Sequence, residues 1–85
     1  MTKDLRTEIF EEIESMVAAK ADYFSDCLKE VDRFTHSEYI MDELLEYFSD
    51  EYISSADEDE IFTMILDEMD RVFDREIEIQ KEWVA

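Results

Sequence analysis

The sequence has no glycine and no proline, and Cys27 is its single cysteine. Glycine supplies most of the positive-φ positions that tight hairpins need, and Gly and Pro together mark most turns. Their absence argues against an all-β fold. It also excludes a Gly-rich phosphate-cradling loop. One cysteine cannot form an intrachain disulfide, which suits a reducing compartment. Bases are scarce: 8 Lys and Arg against 26 Asp and Glu leave a formal net charge of −18. Long apolar runs are missing too. Lys3, Asp4, Arg6, Glu8, Glu11 and Glu12 interrupt anything resembling a secretory signal, and no stretch approaches the roughly 20 apolar residues that span a bilayer. The expectation is a soluble, cytoplasmic protein that does not engage a membrane.

Apolar residues nevertheless make up 46% of the chain and aromatics 13%. Disordered acidic tails are poor in both, so this chain is expected to fold. Its 85 residues suffice for one core, and residues 1–85 read as a single domain. Apolar positions Leu5, Ile9, Ile13, Met16, Val17, Ala21, Phe24, Leu28 and Val31 recur at helical spacing, predicting a first helix from about Lys3 to Arg33, with a bend in Asp22–Asp26 as the alternative. Thr35 and Glu38 have capping-box spacing, and a second helix follows to about Tyr52 with Ile40, Met41, Leu44, Phe48 and Tyr52 inward. Ser55 and Glu58 repeat the box before a third helix that reaches about Trp83, with Ile61, Phe62, Ile65, Met69, Val72, Phe73 and Ile77 inward. The fold class is all-α: a small bundle of three helices, a fourth being the alternative, joined by short polar links.

The charge is unevenly spread. Residues 1–33 hold nine acids and five bases, and residues 71–85 four acids and three bases. Residues 34–70 hold thirteen acids and no Lys or Arg: Glu38, Asp42, Glu43, Glu46, Asp50, Glu51, Asp57, Glu58, Asp59, Glu60, Asp67, Glu68 and Asp70. Asp57 to Glu60 fall in a first helical turn, where the helix dipole favours them. The second helix has no such excuse. Glu38, Asp42 and Glu46 lie four apart, with Asp50 continuing the row, and like charges at that spacing cost about 0.2–0.5 kcal/mol per pair. Self-repulsion on this scale opposes compactness, so a chain without a use for it would gain by losing it. The competing explanation is acidity for solubility or a salty habitat. Such a surface repels nucleic acid and anionic lipid and attracts basic proteins.

Four residues of helix rise about 6 Å, a spacing comparable to that of phosphates along a DNA strand. Duplex DNA carries roughly 26 negative charges over about 45 Å, so a helical rod of that length bearing 18 net charges comes near a short duplex. In composition and expected architecture, and in the acidic-aromatic stretches Glu43-Leu44-Leu45-Glu46-Tyr47 and Asp67-Glu68-Met69-Asp70, the chain resembles phage-encoded DNA-mimic proteins of the overcome-classical-restriction antirestriction class. That resemblance implies a small, acidic, helical inhibitor of DNA-binding enzymes, acting in the host cytoplasm, often as a homodimer. These thirteen acids of residues 34–70 would then be the partner-binding residues and the partner a basic, DNA-binding protein of restriction, CRISPR or glycosylase type. The chain itself would not bind nucleic acid.

Catalytic and metal chemistry finds no footing. An EF-hand loop begun at Asp57 would place Ile61 at its fifth position and Phe62 at its sixth, where a ligand and a glycine belong. A di-iron bundle needs paired Glu-x-x-His motifs, whereas His36 is the sole histidine and position 33 is Arg. Cys27 reads as a small buried thiol and His36 as a loop residue, not as a nucleophile and its base. A non-enzyme without metal or cofactor is expected. Phe10, Tyr23, Tyr39 and Tyr47 read as boundary packing, with interface anchoring as the functional alternative. Trp83 reads as packing on the bundle, with a second subunit as the alternative. Two other functions fit the acidity. One is an immunity- or antitoxin-like protein that neutralises a basic nuclease at an exosite, although the Tyr-Pro motif of colicin-immunity proteins is absent. The other is a virion or scaffold component.

Overall fold

The computed structural model describes residues 2–84, with side chains described for 2–82. Three helices form: α1 (Lys3–Tyr23), α2 (Arg33–Tyr47) and α3 (Ser55–Val84). α1 and α3 run parallel. Arg6 meets Glu60 near their starts, and Gln80 donates to the Ser25 carbonyl beyond the end of α1. α2 runs antiparallel to both, with Arg33 against Asp70 and Asp74 and Phe24 against His36. The result is an up-down-up rod of 48 × 22 × 18 Å, whose length is that of the 30-residue α3 at about 1.5 Å per residue.

The core is one cluster contributed by every element: Leu5, Ile9, Ile13, Val17 and Ala21 from α1, Ile40, Met41 and Leu44 from α2, and Ile61, Ile65, Met69 and Phe73 from α3, closed by Leu28 and Phe48. These are the stripes expected from the sequence. Ser37 is also fully buried, and its hydroxyl donates to Met69 Sδ at 3.1 Å. A small side chain there lets α2 approach α3 closely while its polar atom stays satisfied.

Four boundaries differ from the sequence expectation. α1 stops at Tyr23, not Arg33, because Phe24 caps it and two successive turns follow, Cys27 N–H to Phe24 carbonyl and Glu30 N–H to Cys27 carbonyl. Phe24, Leu28 and Val31 still face the core, so apolar periodicity outlasts the helix that it marks. α2 is capped by Asp32, which accepts from both the backbone N–H and the hydroxyl of Thr35, and not by Thr35. His36 consequently sits within α2 and not in a loop. α2 ends at Tyr47, and Tyr52 is 84% exposed rather than inward. The box before α3 is Ser54 with Asp57, each side chain accepting from the other's backbone N–H, one residue ahead of the expected pair.

No described residue has a positive φ. The chain reverses twice without glycine by using the longer segments 24–32 and 48–54. Those links are not merely polar: Leu28, Phe48 and Ile53 anchor them in the bundle. Among the described residues no helix is long and apolar enough to cross a membrane. The expectation for Trp83 concerns a side chain outside those described.

Candidate functional site

The acids of residues 34–70 divide into two populations. The first is exposed and unpaired. Glu38, Asp42, Glu43 and Glu46 project from α2, and Asp50 and Glu51 from the link after it; all six are exposed. Among the described residues none of them lies within ion-pair distance of a cation. Glu38, Asp42 and Glu46 form the expected helical row. Asp50 does not continue it as a helical position, because α2 has ended, but it remains on the same exposed stretch of chain. Asp67 and Asp59, both exposed on α3, also lack a cationic partner among the described residues.

The second population is committed to the fold. Glu68 is only 4% exposed and is bonded to Arg71, so it cannot join an outer anionic surface. This corrects its place in the expected contact set. Asp70 is taken by Arg33, whose guanidinium bonds Asp70 at 2.7 Å and Asp74 at 2.8 Å and lies over the Phe73 ring at 5.5 Å. The hydrogen bond to Asp74 raises the Arg33 pKa above its ordinary value, with Asp70 adding to it. Glu60 pairs with Arg6 at 3.0 Å. Asp57 serves the α3 cap, and the Ser54 N–H holds its carboxylate below the usual range. Asp32 is likewise held low, chiefly by the Thr35 hydroxyl. Glu58 is half-buried beside the α2–α3 groove described below.

Placement along the helix dipoles sharpens the division. Asp57 and Glu58 occupy the first turn of α3, and Lys81 its last, as the dipole favours. α2 has no acid in its first turn and no base in its last. Instead Glu43, Glu46, Asp50 and Glu51 crowd its negative end. Each such placement opposes helix stability by a few tenths of a kcal/mol, on the order of the dipole and like-charge effects. The α2 carboxylates are therefore not explained by folding.

Aromatic side chains accompany these acids. Tyr39 and Tyr47 are exposed on α2, one turn either side of Glu43, and Tyr23 is exposed near the end of α1. Tyr23, Phe24, His36 and Tyr39 make a chain of ring contacts at 4.7, 4.8 and 6.0 Å. His36 Nδ1 is buried within that chain without a hydrogen-bond partner among the described residues. Cys27 is a free, half-buried thiol in the link after α1.

Grooves flank the rod. One, about 500 Å³, lies between link 24–32 and Ile77, and its rim mixes Asp26 and Glu30 with Lys29 and Lys81. Another, about 330 Å³, lies between Met16, Lys20 and Tyr23 of α1 and Glu43 of α2. A third, about 300 Å³, lies between α2 and α3 over Phe34, Met41, Leu45 and Phe62. The sequence reading did not single out Phe34. Its signal was a second apolar stripe on α2, Phe34, Met41 and Leu45, hidden by starting the helix at Thr35. Among the described residues no three His, Cys, Asp or Glu side chains converge where they could hold a metal ion. The carboxylates are spread along the rod and not gathered at a point. Comparison of the chain with protein-family models, curated proteins and solved structures finds no match in any of the three.

Proposed function

We propose that this chain is an acidic DNA-mimic inhibitor, occupying the basic nucleic-acid-binding surface of a host defence or DNA-processing protein of restriction, CRISPR or glycosylase type. One observation carries the reading. Among the described residues the six exposed carboxylates of α2 and its following link form no ion pair, and four of them, Glu43, Glu46, Asp50 and Glu51, crowd the end of α2 where the helix dipole disfavours them. A polyanionic face kept at a cost to stability, on a rod 48 Å long, suits a partner whose own surface is built to take phosphates. Asp59, across the groove from Glu38 and Asp42, extends the anionic face. Glu60, Glu68 and Asp70, being paired, contribute to the scaffold instead.

The mechanism is competitive occupancy. Carboxylates approach the lysines and arginines of the target's groove, and electrostatic steering speeds the encounter. Screening shortens these interactions to about 8 Å at physiological ionic strength, so affinity falls as salt rises. The test is affinity capture from a host lysate with the intact chain as bait, eluted by a salt gradient. A basic, DNA-processing protein is expected, and a bait carrying Glu43→Lys, Glu46→Lys and Asp50→Lys together should not retain it. Equal retention by the triple variant would overturn the α2 face as the contact surface.

A further inference from the structure

The α2–α3 groove is left unused by a purely electrostatic account. Its floor is apolar: Phe34 stands 56% exposed and packs edge-on against Phe62 at 5.2 Å, and Met41 and Leu45 complete it. Its walls are acidic on both sides, Glu38 and Asp42 from α2 and Glu58 and Asp59 from α3. Among the described residues no Lys or Arg lines it, unlike the mixed-sign groove at the other end of the rod. A single exposed apolar ring is ordinary. A trough of apolar side chains between two helices, walled by one sign of charge, is a complementary surface with a definite chemistry.

We infer that this groove receives a basic amphipathic helix of the partner, completing a local four-helix packing. This inference rests on the proposed function and adds to it what kind of basic surface is bound. Charge selects the occupant. A second copy of this chain would bring net charge −18 against four carboxylates, and like-charge juxtaposition of that kind is strongly unfavourable. A helix with an apolar stripe flanked by arginines would set the stripe on Phe34 and Phe62 and reach a carboxylate on either side. Its guanidinium planes also stack favourably on the exposed rings. The length of the trough, from Phe34 to Leu45 along α2, matches about three turns of helix.

The experiment is calorimetric titration of the full chain with two synthetic helical peptides of equal length and equal arginine content. One carries a leucine stripe between the arginines, and the other has glutamine at those positions, which keeps helix propensity similar. Titrations run at low salt and at 1 M, where the Debye length is about 3 Å. The leucine peptide is expected to bind about tenfold or more tighter than the glutamine peptide, and to keep measurable affinity at 1 M. Phe34→Ser should erase that preference without lowering the melting temperature appreciably, and Phe34→Leu should restore it. Equal affinity for both peptides, a preference that survives Phe34→Ser, or failure of the leucine peptide to bind even at low salt would overturn the groove. The two readings fail separately. The Glu43, Glu46 and Asp50 lysine variant should keep the leucine preference while losing affinity for both peptides, whereas Phe34→Ser leaves the charge array intact.

Discussion

The outer face of α2 and the acids of α3 use the same residue types to opposite ends. On α3, Glu68 goes to Arg71, Asp70 and Asp74 share Arg33, Glu60 reaches Arg6, and Asp57 caps the helix. Of these, Glu60, Asp70 and Asp74 tie α1 and α2 to α3, while Glu68 and Asp57 bond locally. On α2 and its following link, Glu38, Asp42, Glu43, Glu46, Asp50 and Glu51 tie nothing together among the described residues. An acidic protein is thus not uniformly strained by its charge: Arg6 and Arg33 hold helices together, and among the described residues the outer acids of α2 form no ion pair.

The contrast can be broken most severely on the α2 side. Replacing Glu43, Glu46 and Asp50 by lysine should lower affinity for the basic target by on the order of a hundredfold or more. The same variant should be more stable, by about 1 kcal/mol, because like-charge and dipole penalties vanish together. Thermal melting would then show a midpoint several degrees higher. A lower midpoint would mean that these acids support the fold after all.

The converse change lies at Arg33. Arg33→Met removes the two-carboxylate clamp on α3 but retains an apolar stem over Phe73. It should cost about 1–2 kcal/mol in denaturant unfolding, discounted because Asp70 and Asp74 are largely solvated, and should leave target affinity unchanged. Arg71→Ala should also lower the melting temperature, since it leaves the buried Glu68 carboxylate without its partner.

A smaller effect locates the start of α3. Ser54→Ala should cost about 1 kcal/mol through loss of the cap, and Ser55→Ala less than about 0.5 kcal/mol, both read from urea unfolding midpoints. The smallest is a pH effect at the other cap. Thr35 holds Asp32 below its ordinary pKa in the folded chain. The group therefore binds protons more weakly folded than unfolded, and its stabilisation is present above the ordinary carboxylate value of about 3.9. It is lost as pH falls through the depressed folded value. The difference in melting temperature between the wild type and Asp32→Asn should be constant above about pH 5 and shrink below about pH 4. A difference that grows on acidification would contradict the cap.

The core and the uneven charge were both legible in the sequence, because burial follows helical spacing and charge can be counted. Helix ends were less so. Phe24, Leu28 and Val31 keep inward spacing through two turns that are not helical, so periodicity alone extended α1 too far. Asp32 and Ser54 outcompeted Thr35 and Ser55 as caps, a choice among adjacent side chains that spacing does not decide. Pairing was the least legible. Nothing local marks Glu68 as buried or Asp70 as claimed by Arg33, 37 residues away in sequence, since only the packed bundle brings them together. Phe34 was hidden for a related reason: its stripe appears once α2 is known to begin at Arg33.

The outer α2 face and DNA are expected to compete for the same place on the target. The direct measurement is fluorescence-anisotropy competition, with the captured target, a labelled duplex and this chain in one titration. Stepwise displacement of the duplex, weakening as the DNA concentration is raised, is the expected result. A stable ternary species, in which the target holds both the duplex and this chain at undiminished affinity, would contradict it.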